Sequence, residues 1–176
     1  MKVNVTSIVR DHLRTLYSAR TNRFSLWDAV LFYGVPLGAS ISSYVANFTL
    51  RPDVYNVSIT FFGIFIALLL NIQVAIFAIL QRRWDIPSDV RLAEIQQEKL
   101  AERRTLLGEL NANLSYLVLI CCVALFISLL GYVAQWEKNI PPALMTFVYS
   151  HFLLTLIMVV KRAHALFQKE YTSESN

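Results

Sequence analysis

Four long apolar runs alternate with polar stretches along the chain: Trp27 to Phe48, Ser58 to Leu80, Leu114 to Ala134 and Pro142 to Val160. Within them the only Asp, Glu, Lys or Arg is Asp28, at the extreme start of the first. A hydrocarbon core about 30 Å thick is crossed by roughly 20 helical residues, and each run reaches that length. The pattern predicts an all-α membrane protein with four transmembrane helices. Residues 1–26 and 161–176 flank them, short loops occupy 49–57 and 135–141, and one long polar loop fills 81–113.

The polar parts have helical character of their own. Val5, Ile8, Val9, Leu13, Leu16 and Tyr17 recur at helical spacing, with Lys2, Arg10 and Arg14 mostly off that stripe. This predicts a basic amphipathic N-terminal helix drawn to the membrane interface. Ser25-Leu26-Trp27-Asp28 has the form of a capping box opening the first span, which accounts for Asp28 without a functional role. In the long loop, Ser88 can cap a helix, and no Gly or Pro occurs from Asp89 until Gly108. Leu92, Ile95, Leu107, Leu110 and Leu114 recur near helical spacing among Glu, Gln, Lys and Arg. A helical extension is therefore predicted between spans two and three, running into the third span and projecting roughly 35 Å from the membrane. Gly108, Asn111 and Asn113 mark the membrane boundary on that helix and a possible bend.

Composition fits this picture: 56% of the 176 residues are hydrophobic, against about 45–50% in soluble domains, and the mean hydropathy is +0.48. The first 26 residues lack an apolar signal-peptide core, so the first span is expected to act as its own insertion signal. Charge sets the orientation. Fourteen of the sixteen Lys and Arg residues fall in the N-terminal segment, the long loop and the C-terminal tail, and only Arg51 and Lys138 lie in the short loops. Because basic residues are retained in the cytoplasm, both termini and the long loop are expected there. Matches to N-x-[ST] at Asn4, Asn47, Asn56 and Asn113 are read as chance.

Inside the spans, small and polar residues carry the information, since helices in lipid associate by close approach and buried hydrogen bonds. Gly34, Gly38, Ser42 and Ala46 form one four-residue stripe, and Gly63, Ala67, Asn71 and Ala75 a second. Cys121, Ala124, Ser128 and Gly131 share a face of the third span. All three stripes predict close helix packing, within a protomer or between protomers. Asn71, Gln73 and His151 are polar at mid-membrane, where such groups are either functional or bonded to a neighbouring helix. No carboxylate accompanies them. The adjacent Cys121 and Cys122 imply no disulfide framework, and His12, His151 and His164 are too scattered to hold a metal. With no phosphate loop and no nucleophile–base set, the expectation is a protein without catalytic residues, cofactor or metal. A carrier is disfavoured because no pair of broken, repeated helices is present.

The basic pre-membrane stretch Arg10–Asp28, the polar Asn71-Ile72-Gln73 in the second span and the charged helix entering the third span at Leu106–Tyr116 resemble the small four-span membrane subunits of bacterial anti-phage defence loci, those of the Kiwa system in particular. The likeness is one of architecture over nearly the whole chain, without a diagnostic motif. It implies a homo-oligomeric, tetrameric protein of the bacterial inner membrane that senses infection and engages a soluble cytoplasmic DNA-binding effector. The chain itself is not expected to contact nucleic acid. The expected function is therefore a non-enzymatic membrane sensor or scaffold in contact with membrane lipids. Its docking face is expected on the long loop at Arg91, Lys99, Arg103 and Arg104, because guanidinium groups suit bidentate contact with carboxylates. The alternative is a pore-forming oligomer that alters membrane permeability.

Overall fold

The computed structural model of the chain describes residues 5–15, 27, 30–81, 90–137 and 140–174. Among these, every regular element is helical. Helix α1 spans Val5–Arg14. A π-helical turn, Val30–Gly34, opens into α2, Val35–Val45. Helices α3, Pro52–Gln81, α4, Val90–Val133, and α5, Ile140–Glu174, follow. Three stretches are long and apolar enough to cross a membrane: Pro52–Gln81, Ala93–Val133 and Ile140–Gln168. Val30–Val45 is apolar but shorter than these. Residues 28 and 29, at the start of the first apolar run, lie outside the described residues, as do Leu16, Tyr17 and residues 82–89.

Helix α4 is the centre of the bundle, in contact with α1, α3 and α5, while α2 lies against α5. One line of buried residues on α4, with Asn113, Tyr116 and Ile120 buried beside it, is Leu107, Leu110, Leu114, Leu117, Cys121, Ala124, Ser128 and Gly131, alternating by three and four positions. That is the 3.5-residue repeat of a left-handed coiled coil, in which neighbouring helices keep one seam in contact over many turns. Helix α3 answers with Tyr55, Phe62, Leu69 and Ile76, spaced by seven, and α5 with Met145, Val148, Phe152, Thr155 and Val159. Residue size is graded along the seam. Large side chains on α3, Tyr55 and Phe62, sit at the end where the buried seam positions of α4 are Cys121, Ala124, Ser128 and Gly131. Tyr55 lies directly on Gly131: a Cβ added there would sit 2.5 Å from Tyr55 Cε1. At mid-bundle, Phe61, Phe62, Phe65, Tyr149 and Phe152 pack edge to face and tilted, with centroids 4.6–6.0 Å apart.

Both short loops end a helix in the same way. After α2, Phe48 N–H donates to Ser43 O and Asn47, at φ 51°, donates to Tyr44 O. After α4, Trp136 N–H donates to Gly131 O with Gln135 also at φ 51°. These bonds satisfy the last helical carbonyls through a left-handed residue. The loops are then clasped together: Leu50 N–H donates to Glu137 O at 2.9 Å, and the Tyr55 hydroxyl donates to Trp136 O at 2.6 Å.

The three small-residue stripes divide. Ser128 and Gly131 are buried in the α3–α4 seam. Gly34, Gly38 and Ser42 are exposed, as are Ala67 and Asn71, and a Cβ at Gly38 or Gly63 meets nothing within 4 Å. Packing within one protomer thus uses the third stripe only. Helix α3 has 11% of its most apolar stretch buried, against 39% and 44% for α4 and α5.

The seam makes a direct prediction. Gly131→Ala pushes the Tyr55 ring out of its seat and should lower stability by about 1–2 kcal/mol, the overpacking cost reduced by alanine's better helix propensity. Gly38→Ala, which meets open space within the protomer, should be neutral or mildly stabilising for the monomeric chain. Thermal unfolding in mild detergent compares the two; equal effects would show that Tyr55 does not rest on Gly131.

Candidate functional site

Pro36 has no N–H, so the carbonyl of Phe32, four residues earlier, has no α-helical donor. The π-helical turn is where that carbonyl finds another partner. His151 Nδ1 lies 2.8 Å from Phe32 O, and a carbonyl only accepts, so Nδ1 carries the proton. In the neutral ring His151 Nε2 is then an acceptor, and the Tyr116 hydroxyl donates to it at 2.9 Å. One imidazole therefore bonds the turn before α2 and helix α4 to α5, with both nitrogens satisfied and no charge required. Phe147 stacks on His151 at 5.8 Å and Tyr33 tilts against it at 5.0 Å.

The chain of contacts continues to α1. The His12 ring stacks on Tyr116, with centroids 3.7 Å apart and planes 9° from parallel. His12 Nδ1 donates to Asn113 Oδ1 at 2.8 Å. The Thr15 hydroxyl stands 2.7 Å from His12 O and 2.8 Å from Asn113 Oδ1. Arg162 on α5 donates to the Thr15 carbonyl and pairs with Glu109 on α4 at 3.3 Å. His12 and Asn113 are both fully buried, and His12 Nε2 and Asn113 Nδ2 have no hydrogen-bond partner among the described residues. Beside this junction lies a pocket of about 410 Å³ between α1 and α4.

The polar residues singled out from the sequence fall in different places. His151 is buried and bonded as described. Gln73 donates to Ser115 Oγ at 2.7 Å and to Asn111 Oδ1 at 3.4 Å, joining α3 to α4. Asn71 is exposed on the outer face of α3, so the structure does not bring it to His151. On α4, Arg91, Lys99 and Arg104 are exposed and Arg103 is half-buried. No group of three or more His, Cys, Asp or Glu among the described residues is placed to hold a metal ion.

His12, Asn113 and Tyr116 are absent from the sequence reading of the site, although one signal was present. His12 falls four residues after Ile8 and three after Val9, on the apolar stripe of α1, whereas Leu13 is 37% exposed. A histidine on the buried stripe of an amphipathic helix marks a polar junction beneath it. No family model, curated protein or solved structure matches this chain.

Burial pushes the His12 pKa down from 6.5 to about 4, helped by the nearby His151 and by the Arg162 charge and opposed by the bond to Asn113. The docked ring therefore resists protonation, while a ring released to water takes a proton near its ordinary value. Docking of α1 is fully favoured above pH 6.5 and weakens as pH falls from about 6.5 toward 4. A spin label on Leu13 should gain mobility between pH 7 and pH 5. In His12→Phe, which keeps the stack on Tyr116 but cannot titrate, it should not. An identical acid response in His12→Phe would assign the effect to another group.

Proposed function

We propose that this protein is a non-catalytic membrane scaffold that holds a rigid helical arm in the cytoplasm and docks a soluble protein partner on it. The observation that carries this reading is the unbroken helix Val90–Val133. Its second half is the centre of the bundle, and its first half bears Arg91, Glu94, Glu98, Lys99, Glu102, Arg103 and Arg104. At 1.5 Å per residue, the part from Val90 to Gly108 is about 27 Å long. A helix anchored along its apolar half transmits position and rotation to the charged half, which suits a docking arm better than a spacer. Orientation follows the distribution of Lys and Arg, which puts this arm and both termini in the cytoplasm. In this reading Val30–Val45 belongs to a fourth span that starts at Trp27.

A homo-oligomer is part of the proposal. Asn71 is exposed on α3, in line with Gly63, Ala67 and Ala75, and its side chain has no hydrogen bond among the described residues. An amide is both donor and acceptor and satisfies itself against a second copy, and small residues beside it permit close approach. Gly34, Gly38 and Ser42 offer a similar open face on α2. A place in the bacterial inner membrane, a tetramer, a DNA-binding effector as partner and a role in anti-phage defence are what the architectural resemblance adds.

Lys99→Glu with Arg104→Glu tests the docking arm, because both side chains are exposed and neither holds the bundle together. A photo-cross-linker at Gln97 in the native host should capture one soluble protein in the parent chain, and the capture should fall at least about fivefold in the double variant, with insertion and oligomer size unchanged. Cross-links confined to further copies of this chain, or capture unaffected by charge reversal, would make the arm an intersubunit contact.

A further inference from the structure

The pocket between α1 and α4 has a depth fixed by the register of the bundle. Gly131 and Tyr55 mark the clasped end, and twenty residues along α4 from Gly131 is Asn111, about 30 Å away, one hydrocarbon thickness. The pocket is lined by Asn111 itself and by Glu109, Asp11 and Arg14, with Ile8 and Ala112 as apolar wall. It therefore opens where α4 passes from apolar to charged, at the level of lipid headgroups in the leaflet on the α1 side.

Its charges are of both signs. Arg14 and Asp11 stand 4.0 Å apart, at the limit of an ion pair, with side chains 70% and 51% exposed. Both are thus able to meet a ligand. Glu109 adds a carboxylate already shared with Arg162. Asn111 accepts from Gln73 through Oδ1, a bond that does not use its amide N–H groups. A purely anionic headgroup would face two carboxylates. A quaternary ammonium has no N–H to give them. A headgroup with a phosphate and a primary ammonium matches the set: the phosphate takes Arg14 and the Asn111 amide, the ammonium takes Asp11 and Glu109. We propose that the α1–α4 pocket is a binding site for an aminophospholipid headgroup, with the first acyl carbons against Ile8 and Ala112. Occupancy fastens α1 to α4 at the membrane surface. This goes beyond the scaffold reading and holds whether or not a protein partner binds the arm.

Native mass spectrometry of the full chain in mild detergent tests it, with phosphatidylethanolamine, phosphatidylcholine and phosphatidylglycerol of one acyl composition as probes. The expected result is phosphatidylethanolamine retained about fivefold more strongly than either other lipid, as for an exposed charge pair. Asp11→Asn with Arg14→Gln should abolish the preference, while Leu68→Ala, on the outer face of α3, should leave it intact. Equal retention of the three lipids, preference for phosphatidylglycerol, or a preference that survives in the Asp11→Asn/Arg14→Gln chain would overturn the proposal. So would displacement of the bound lipid by soluble glycerophosphoethanolamine, which would make the ligand a free headgroup compound rather than a lipid.

Discussion

A polar group inside an apolar bundle must be bonded, and the arrangement here follows from one such group, the imidazole of His151. Left unpaired it would cost about 1–3 kcal/mol, and more in lipid, where water cannot help. Pro36 and the π-helical turn before α2 expose a carbonyl to its Nδ1–H, and Tyr116 supplies a hydroxyl to Nε2. Fixing Tyr116 gives His12 a ring to stack on, and stacking His12 brings α1 against α4. Asn113, Thr15, Arg162 and Glu109 then close the polar junction at the end of the bundle that bears α1. Geometry in this half of the molecule is thus directional, set by hydrogen bonds with defined donors.

The opposite half is set by shape. From Cys121 to Gly131 the α4 seam loses side-chain volume while the facing residues on α3 gain it, so aromatic rings fill the space that small residues leave. Close approach of helices through small residues is what packing in lipid rewards, because burial of apolar surface gains little there. The two halves serve one end. A well-packed seam holds α4 rigid, the polar junction fixes α1 beside it, and the charged half of α4 inherits a fixed direction from both.

The all-helical class and the apolar helices of membrane length were legible from hydropathy alone, because backbone groups in lipid must bond within their own segment. In the described part of the first apolar run, Val30–Gly34 departs from α geometry just before Pro36, a residue visible in the sequence, but the partner that takes the freed Phe32 carbonyl, His151, is 119 positions from it. Small-residue stripes were legible as stripes, but their partners were not. Cys121, Ala124, Ser128 and Gly131 meet α3, whereas the Gly38 and Asn71 stripes face outward, and only three-dimensional register separates the two cases. The three–four alternation of Leu107 to Gly131 was present in the chain and would have identified the α4 seam directly. His151 was visible as a buried polar group, but Tyr116, with an amphipathic side chain common in membrane helices, gave no sign that it was the partner. Asn113 was hidden for the same reason, being ordinary until α1 folds back on α4, whereas His12 was marked by its place on the apolar stripe of α1.

The polar half of the bundle rests on His151 being a neutral connector with its proton on Nδ1. Solid-state ¹⁵N NMR of histidine-labelled protein in lipid at neutral pH measures this directly, with His151→Gln used to assign the resonances. The structure predicts a neutral ring with a protonated Nδ1 and an unprotonated, hydrogen-bonded Nε2, the latter shifting in Tyr116→Phe. An imidazolium signal, a proton on Nε2, or a resonance indifferent to Tyr116→Phe would contradict the account and return His151 to the list of candidate proton-handling groups.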